Sequence, residues 1–306
     1  MREQRVIALG FFDGVHLGHA ALLGRVGRVA QALGAKPCAF TFDIHPSLRL
    51  IGAQEPLLST VEDRRWLMSR LYGIQELIVA SFDRMMAMPW QDFVTDYLQQ
   101  EQGAVHVVAG DDFRFGYRGQ GDAERLQALC AQRGIGCDIV EQIEVDGIRV
   151  SSTHIRTLLR TGDTDTARRF LGHPHILCDT VRPGKHLGRT LGFPTVNLNL
   201  PQALLVPAFG VYAAKAILED GRTCPAAVNI GVRPTVEQGG QPNVEAFLLD
   251  YDGDLYGQQV RLALYHHLRG ERRFPDVESL TAEVLRNAEQ VRSYFDERKE
   301  TEGNRM

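Results

Sequence analysis

"GFFDGVHLGH", residues 10–19, decides how the first half of the chain is read. It follows a short apolar run, RVIAL, and precedes Leu22, Val26, Val29 and Leu33, which recur at helical spacing. A glycine-rich turn between a strand and a helix is where an open α/β sheet binds ligands, beyond the carboxyl ends of its strands. Gly10 and Gly14 permit close approach of backbone to a ligand, and Gly18 suits a packed helix start. The helix N-terminus offers free amides and positive dipole charge to a phosphate, and Phe12 and Asp13 count as candidate nucleotide contacts as members of the same string. His16 and His19, three apart on the first turn, can both donate to one phosphate group as charge builds on it. Metal binding is the rival role for the pair, but one His-x-x-His without an evident third ligand is a weak zinc signal.

Outward from this stretch, short apolar runs alternate with amphipathic ones. KPCAFTF, ELIVASF, AVHVVAG and CDIVEQIEV read as further strands; VEDRRWLMSRL, MPWQDFVTDYLQQ and DAERLQALCAQR read as helices between them. Strands spaced by helices of this length predict a parallel sheet covered on both faces. After SSTHIRTLLRTGDTDTARRFLG the pattern changes. FGVYAAKAIL, CPAAVNIGV, NVEAFLLDY and QQVRLALYHHL are strand-like and separated by Gly, Pro, Asn and Asp, as in a small β-barrel. Leu280, Val284, Ala288, Val291 and Phe295 share one face of a last helix that should pack on that barrel, and the tail KETEGNRM should fray. The expected boundary lies between His173 and Pro174, giving domains 1–173 and 174–306.

Bulk properties narrow the function classes. The chain has 306 residues, more than one core usually occupies, with 44% hydrophobic and 24% charged residues. The formal net charge of -4 gives no support for a general nucleic-acid or membrane-surface binder. Five scattered cysteines without a CxxC pair fit free thiols. No run approaches the ~18 apolar residues of a membrane span, and MREQRVIALGFFDG lacks the apolar core of a signal peptide, so the expected location is cytoplasmic.

A second constellation lies in GKHLGRTLGFPTVNL, residues 184–198. Gly184, Gly188 and Gly192, with Pro194, would let a loop wrap a nucleotide. Thr195 and Asn197, two apart on a strand, face one side and can aim neutral oxygens at one cation, which suits Mg²⁺ shared with phosphates. No Walker A pattern occurs in the chain. Arg261, Arg269, Arg272 and Arg273 form a basic cluster that either meets a phosphate or simply faces solvent.

Taken together, GFFDGVHLGH, FTFDIHPS (40–47), VVAGDDFRFG (107–116) and VSSTHIR (150–156) resemble, in order and spacing, the adenylylating module of bacterial bifunctional riboflavin kinase/FAD synthetases. GFPTVN, NIGVRPT and NVEAF resemble their riboflavin kinase module. The resemblance implies a Rossmann-like nucleotidyltransferase domain followed by an antiparallel β-barrel kinase domain with a terminal helix. It implies that His16 and His19 contact ATP phosphates and that Ser152, Thr153 and Arg156 hold the triphosphate. Asp111 and Asp112 would lie near the transferring group, with turn capping as the lesser alternative, and His45-Pro46 could equally well merely shape a loop. Glu245 would accept the proton of the riboflavin hydroxyl. The implied substrates and products are ATP, riboflavin, FMN and FAD, with Mg²⁺, in a monomer or weak homo-oligomer. Two departures stand out: Asp179 replaces a frequent glycine, and Asn287 a frequent aspartate. Alternatives are a chain with one live activity, or a flavin- or nucleotide-sensing regulator; retention of Glu245 speaks against the regulator.

Overall fold

The computed structural model describes residues 3–50, 52, 55–182, 193–232 and 242–303. The chain divides into two compact units, Met1–Ser152 and Thr153–Met306.

In the first unit β1 (Arg5–Leu9), β2 (Lys36–Phe42), β3 (Glu76–Ala80), β4 (Ala104–Gly110) and β5 (Gly136–Val140) form one parallel sheet in the order β3-β2-β1-β4-β5. Val6, Ile7 and Ala8 on β1 and Val107, Val108 and Ala109 on β4 are all buried, as strands covered on both faces require. Three of this unit's helices start at side-chain caps. His16 caps α1 (Leu17–Leu33), Thr60 caps α2 (Val61–Tyr72) in a capping box with Asp63, and Asp122 caps α3 (Ala123–Arg133). The chain steps outward from β1 to β3, then returns to lay β4 on the other side of β1. That reversal opens a crevice at the carboxyl ends of β1 and β4.

One local expectation holds in an unusual form and one is corrected. The segment Phe93–Glu101 is a π-helix rather than an ordinary α-helix, closed by Gln102 N–H donating to the Tyr97 carbonyl at 2.9 Å. Its wider turn sets Phe93, Val94, Tyr97 and Leu98 against the sheet. CDIVEQIEV is not one strand. β5 pairs with β4 only as far as Val140, opposite Gly110, and beyond that point the chain makes a separate hairpin of Glu144–Val145 with Ile148–Arg149.

The second unit contains α5 (Thr164–Leu171) and all but the first residue of α4 (Ser152–Arg160). The sequence groups both helices with the first domain, yet α5 packs on the second sheet and α4 is bonded to the segment leading into that sheet's Gly210–Ile217 strand. The Ala208 amide donates to the Leu159 carbonyl at 2.9 Å, and Asp165 pairs with His266.

That sheet comprises β6 (His175–Thr180), β7 (Thr195–Leu198), β8 (Gly210–Ile217), β9 (Thr223–Val232), β10 (Pro242–Leu248) and β11 (Gln259–Arg269). It is antiparallel throughout, in the order β6-β11-β8-β9-β10-β7. An antiparallel bridge between Arg182 and Asn197 joins its two edges, so the sheet curls into a barrel. Alternation sorts the side chains. Tyr212, Ala214, Val228, Ile230, Val244, Ala246 and Leu262 fill the barrel, while Ala213 and Ala227 lie on the outer face under Ala288, Val291 and Phe295 of α6 (Val277–Gly303). The helix thus uses the predicted face and continues into the tail expected to fray.

Candidate active sites

The 10–19 loop owes its shape to a buried carboxylate. Asp13 is 2% exposed and accepts the Leu58 amide (2.9 and 3.1 Å), the Ser59 amide (3.0 Å) and the Ser59 hydroxyl (3.2 Å). The same hydroxyl accepts the Gly14 amide at 2.8 Å. Phe12, fully buried, and Val15 both adopt positive φ, an uncommon conformation for such residues, and Gly14 between them does so at φ 77°. Phe12, Asp13 and Gly14 therefore build the turn from beneath and do not line the cleft above it.

Gly10, Phe11, His16, Gly18 and His19 do line that cleft, which encloses about 380 Å³ at the crevice between β1 and β4. His16 Nδ1 accepts the His19 amide at 3.4 Å as helix cap. An accepting Nδ1 leaves the proton of the neutral ring on Nε2. The two imidazoles stack with centroids 3.6 Å apart, 13° from parallel. A side chain at Gly18 would stand 3.2 Å from the His16 ring and press on it. Burial, with the like charges of His16 and Arg64, holds the His19 pKa well below the ordinary imidazole value. A neutral His19 ring can stack closely on its neighbour.

The opposite wall comes from the end of β4 and the hairpin. Asp111 and Asp112 line the cleft as exposed side chains, and Asp112 forms an ion pair with Arg149. Ser152, the last residue of the first unit, also lines it and donates to the Asp13 carbonyl at 3.0 Å. Thr153 and Arg156 follow on α4 in the second unit, Thr153 exposed and Arg156 buried. Pro46 lines the cleft, and His45 Nδ1 accepts the Ser47 amide at 3.1 Å, so this pair shapes the wall as a turn.

Sequence reading passed over Ser59, Arg64 and Arg149. Ser59 and Arg64 lie in or beside the capping box STVED, a legible helix start whose link to the loop 45 residues earlier carries no local mark.

In the second unit strand register collects the candidates. Glu245 on β10 stands opposite Asn197 on β7 and opposite Asn229 on β9. Glu245 accepts the Asn243 side-chain amide at 2.8 Å. Two hollows meet at this row. One, about 240 Å³, lies between the outer barrel face and α6 and is lined by Phe193, Asn229, Glu245, Phe247, Arg269 and Asn287, among others. The other, about 430 Å³, is lined by Pro194, Asn197, Leu248, Tyr251, Asp254 and Tyr256, among others. Thr195 borders both. Gly184, Gly188 and Gly192 lie outside the described residues.

The basic cluster is divided. Arg269 bridges to Glu283 at 3.1 Å and donates to Asn287 Oδ1 at 2.9 Å, tying β11 to α6. Arg272 reaches the same Glu283 at 3.7 Å and is largely exposed. Arg261 donates to Gln259 at 2.7 Å, and Arg273 is exposed. The two departures are built into local structure. Asp179 accepts the Asn199 amide at 2.9 Å, and buried Asn287 both accepts from Arg269 and donates to Gln290 at 3.1 Å.

Thr195 and Asn197 border one hollow as neutral oxygen donors two residues apart, a set that fits Mg²⁺ held largely by phosphates and water. Among the described residues no cluster of three His, Cys, Asp or Glu side chains could hold a metal by itself.

Comparison with known proteins follows the same division. A family model described as FAD synthetase matches residues 1–154, and one described as riboflavin kinase matches residues 171–295. A bifunctional riboflavin kinase/FMN adenylyltransferase of Bacillus subtilis is 33% identical over 299 residues, covering 96% of this chain and 93% of the relative. The protein of the same name from Pseudomonas fluorescens is 35% identical over 280 residues, covering 91% and 89%. A crystal structure of a Streptococcus pneumoniae protein, named as a macrolide-efflux protein, superposes with a TM-score of 0.81 at 26% identity, covering 95% of each chain. Among the described residues no helix of this chain is long and apolar enough to cross a membrane. Matched along nearly its whole length by relatives of one kind, and by both family models in the order its motifs run, the chain belongs to the bifunctional riboflavin kinase/FMN adenylyltransferase family.

Proposed function

We propose that this chain phosphorylates riboflavin to FMN with one ATP and adenylylates FMN to FAD with a second, releasing pyrophosphate. The observation that carries the reading is the match of both family models within one chain, each over a unit that holds its own lined hollow.

In the first reaction the terminal ribityl hydroxyl attacks the γ-phosphorus of ATP, its proton passes to Glu245, and ADP leaves. Riboflavin would occupy the hollow holding Glu245, and ATP the hollow holding Asn197. Thr195, bordering both, marks where the phosphoryl group crosses. Thr195 and Asn197 would hold Mg²⁺, which when bound offsets phosphate charge. Gly184, Gly188, Gly192 and Pro194 belong to the proposed nucleotide loop.

In the second reaction an FMN phosphate oxygen attacks the α-phosphorus of ATP, and the bond to the β-phosphate breaks. The attacking oxygen is already ionised, so no base is needed. His16 and His19 donate hydrogen bonds to the charge that builds, and Ser152, Thr153 and Arg156 bind phosphate oxygens. Gly10 and Gly18 allow the close approach, Phe12, Asp13 and Gly14 hold the turn, and Asp111 and Asp112 flank the transferring group. The functional domains remain 1–173 and 174–306, with SSTHIR serving the first. Small molecules are the proposed partners, for a cytoplasmic monomer or weak homo-oligomer, and the acidic net charge accords with a chain that does not bind nucleic acid.

The test is flavin chromatography after incubating the chain with riboflavin, ATP and Mg²⁺. FMN appearing first and FAD second is expected. FAD formed only from supplied FMN would reduce the protein to one live activity, and no turnover of either flavin would leave a sensor.

A further inference from the structure

Arg64 has no part in the reactions as written, yet it lies directly behind the first site. Its side chain is 1% exposed, and a guanidinium so enclosed is costly unless its donors are well used. Nη1 donates to the Phe11 carbonyl at 2.9 Å and to the Thr41 hydroxyl at 2.8 Å, and the cation lies 4.3 Å from the centre of the Phe11 ring. Nε has no hydrogen-bond partner among the described residues. The carboxylates whose charge favours the cation, Asp13 and Asp63, are themselves engaged by Leu58 and Ser59 and by Thr60. Phe11 fronts the cleft beside His16 and His19.

From this geometry we infer that Arg64 is a positioning residue of the adenylyl-transfer site: a fixed cation that clamps the Phe11 turn to β2 and places like charge behind the stacked histidines. The inference rests on the adenylyl-transfer reading of that site. The clamp works because Thr41 donates to the Phe11 carbonyl at 2.7 Å while Arg64 holds both oxygens, so loop, strand and helix meet at one point. The charge works because His19 carries Arg64 among the causes of its lowered pKa, behind burial and His16. A neutral His19 can donate a hydrogen bond and stay stacked on His16 until a triphosphate arrives. The other charged groups around the cleft are Asp111, Asp112, Arg114, Glu141 and Arg149, with Asp112 paired to Arg149.

The experiment combines ¹⁵N NMR titration of the histidines in the ligand-free full chain with rates of both reactions. His19 is assigned by loss of its signals in His19→Gln. In Arg64→Met the His19 titration should move up toward the ordinary imidazole range. FAD formation should fall about tenfold or more in kcat, with little change in the KM for ATP. FMN formation should stay within about twofold of wild type, because Arg64 does not touch the kinase hollows. Arg64→Lys keeps the charge, so His19 should titrate as in wild type while kcat recovers only in part. An Arg64→Met chain with wild-type His19 titration and wild-type FAD formation overturns the inference. If Arg64→Met does not fold, Thr41→Val and Arg64→Lys both running at the wild-type rate overturns it equally. A wild-type chain that makes no FAD while the His19 shift appears in Arg64→Met overturns the adenylyl-transfer reading and leaves the Arg64–His19 coupling standing.

Discussion

Asn197 and Glu245 stand directly opposite one another in the antiparallel pairing of β7 with β10. Opposed residues share a face of the sheet at roughly 5 Å between Cβ atoms, so the amide and the carboxylate project together. Glu245→Gln keeps the shape and removes the base. FMN formation should fall ~10²- to 10⁴-fold while adenylylation of supplied FMN is unchanged, as read by flavin chromatography.

The stacked histidines predict the reciprocal result. His19→Ala should lower FAD formation ~10²-fold and leave FMN formation intact. Gly18→Ala, whose new methyl would press on the His16 ring at 3.2 Å, should lower FAD formation in the same direction by a smaller factor. Equal loss of both activities in either variant would contradict separate sites.

Asp13 predicts a stability effect. Asp13→Ala strands the Leu58 and Ser59 donors in a buried place and should destabilise the first unit by about 2–4 kcal/mol. Trp66 and Trp90, the two tryptophans of the chain, both lie in that unit, so urea unfolding followed by tryptophan fluorescence reports it selectively.

His175 predicts acid sensitivity of the second unit. Burial, with His173 nearby, lowers its pKa to about 3, and its Nε2 has no hydrogen-bond partner among the described residues. The unfolded chain, with an ordinary imidazole, takes up the proton first as pH falls. Its contribution to stability is therefore complete above about pH 6.5 and is lost progressively toward pH 3, amounting to about 2 kcal/mol between pH 6.5 and 5. Denaturation at both pH values should show this loss for wild type and a flatter dependence for His175→Gln.

Much of this molecule was open to reading in one dimension. The apolar runs of β1, β2 and β4, the turn residues of the barrel, and the histidine loop between strand and helix are local patterns. Backbone periodicity and phosphate chemistry give them meaning without a fold. The π-helical turns of Phe93–Glu101 were not legible, since their side chains suit either helix. Nor was the end of β5 at Val140, because pairing stops where the neighbouring strand stops, and that is a property of β4.

The sequence by itself determined the two element patterns, the two motif-bearing regions and the residue types available for phosphate and proton handling. Tertiary structure alone decided which distant groups support them. Asp13 finds Ser59 across 46 residues, Arg64 finds Phe11 across 53, and Asn197, Asn229 and Glu245 converge only through strand register. Such contacts leave no periodic trace, because a hydrogen bond or a pairing register between distant segments is set by how the chain closes on itself and not by neighbours along it.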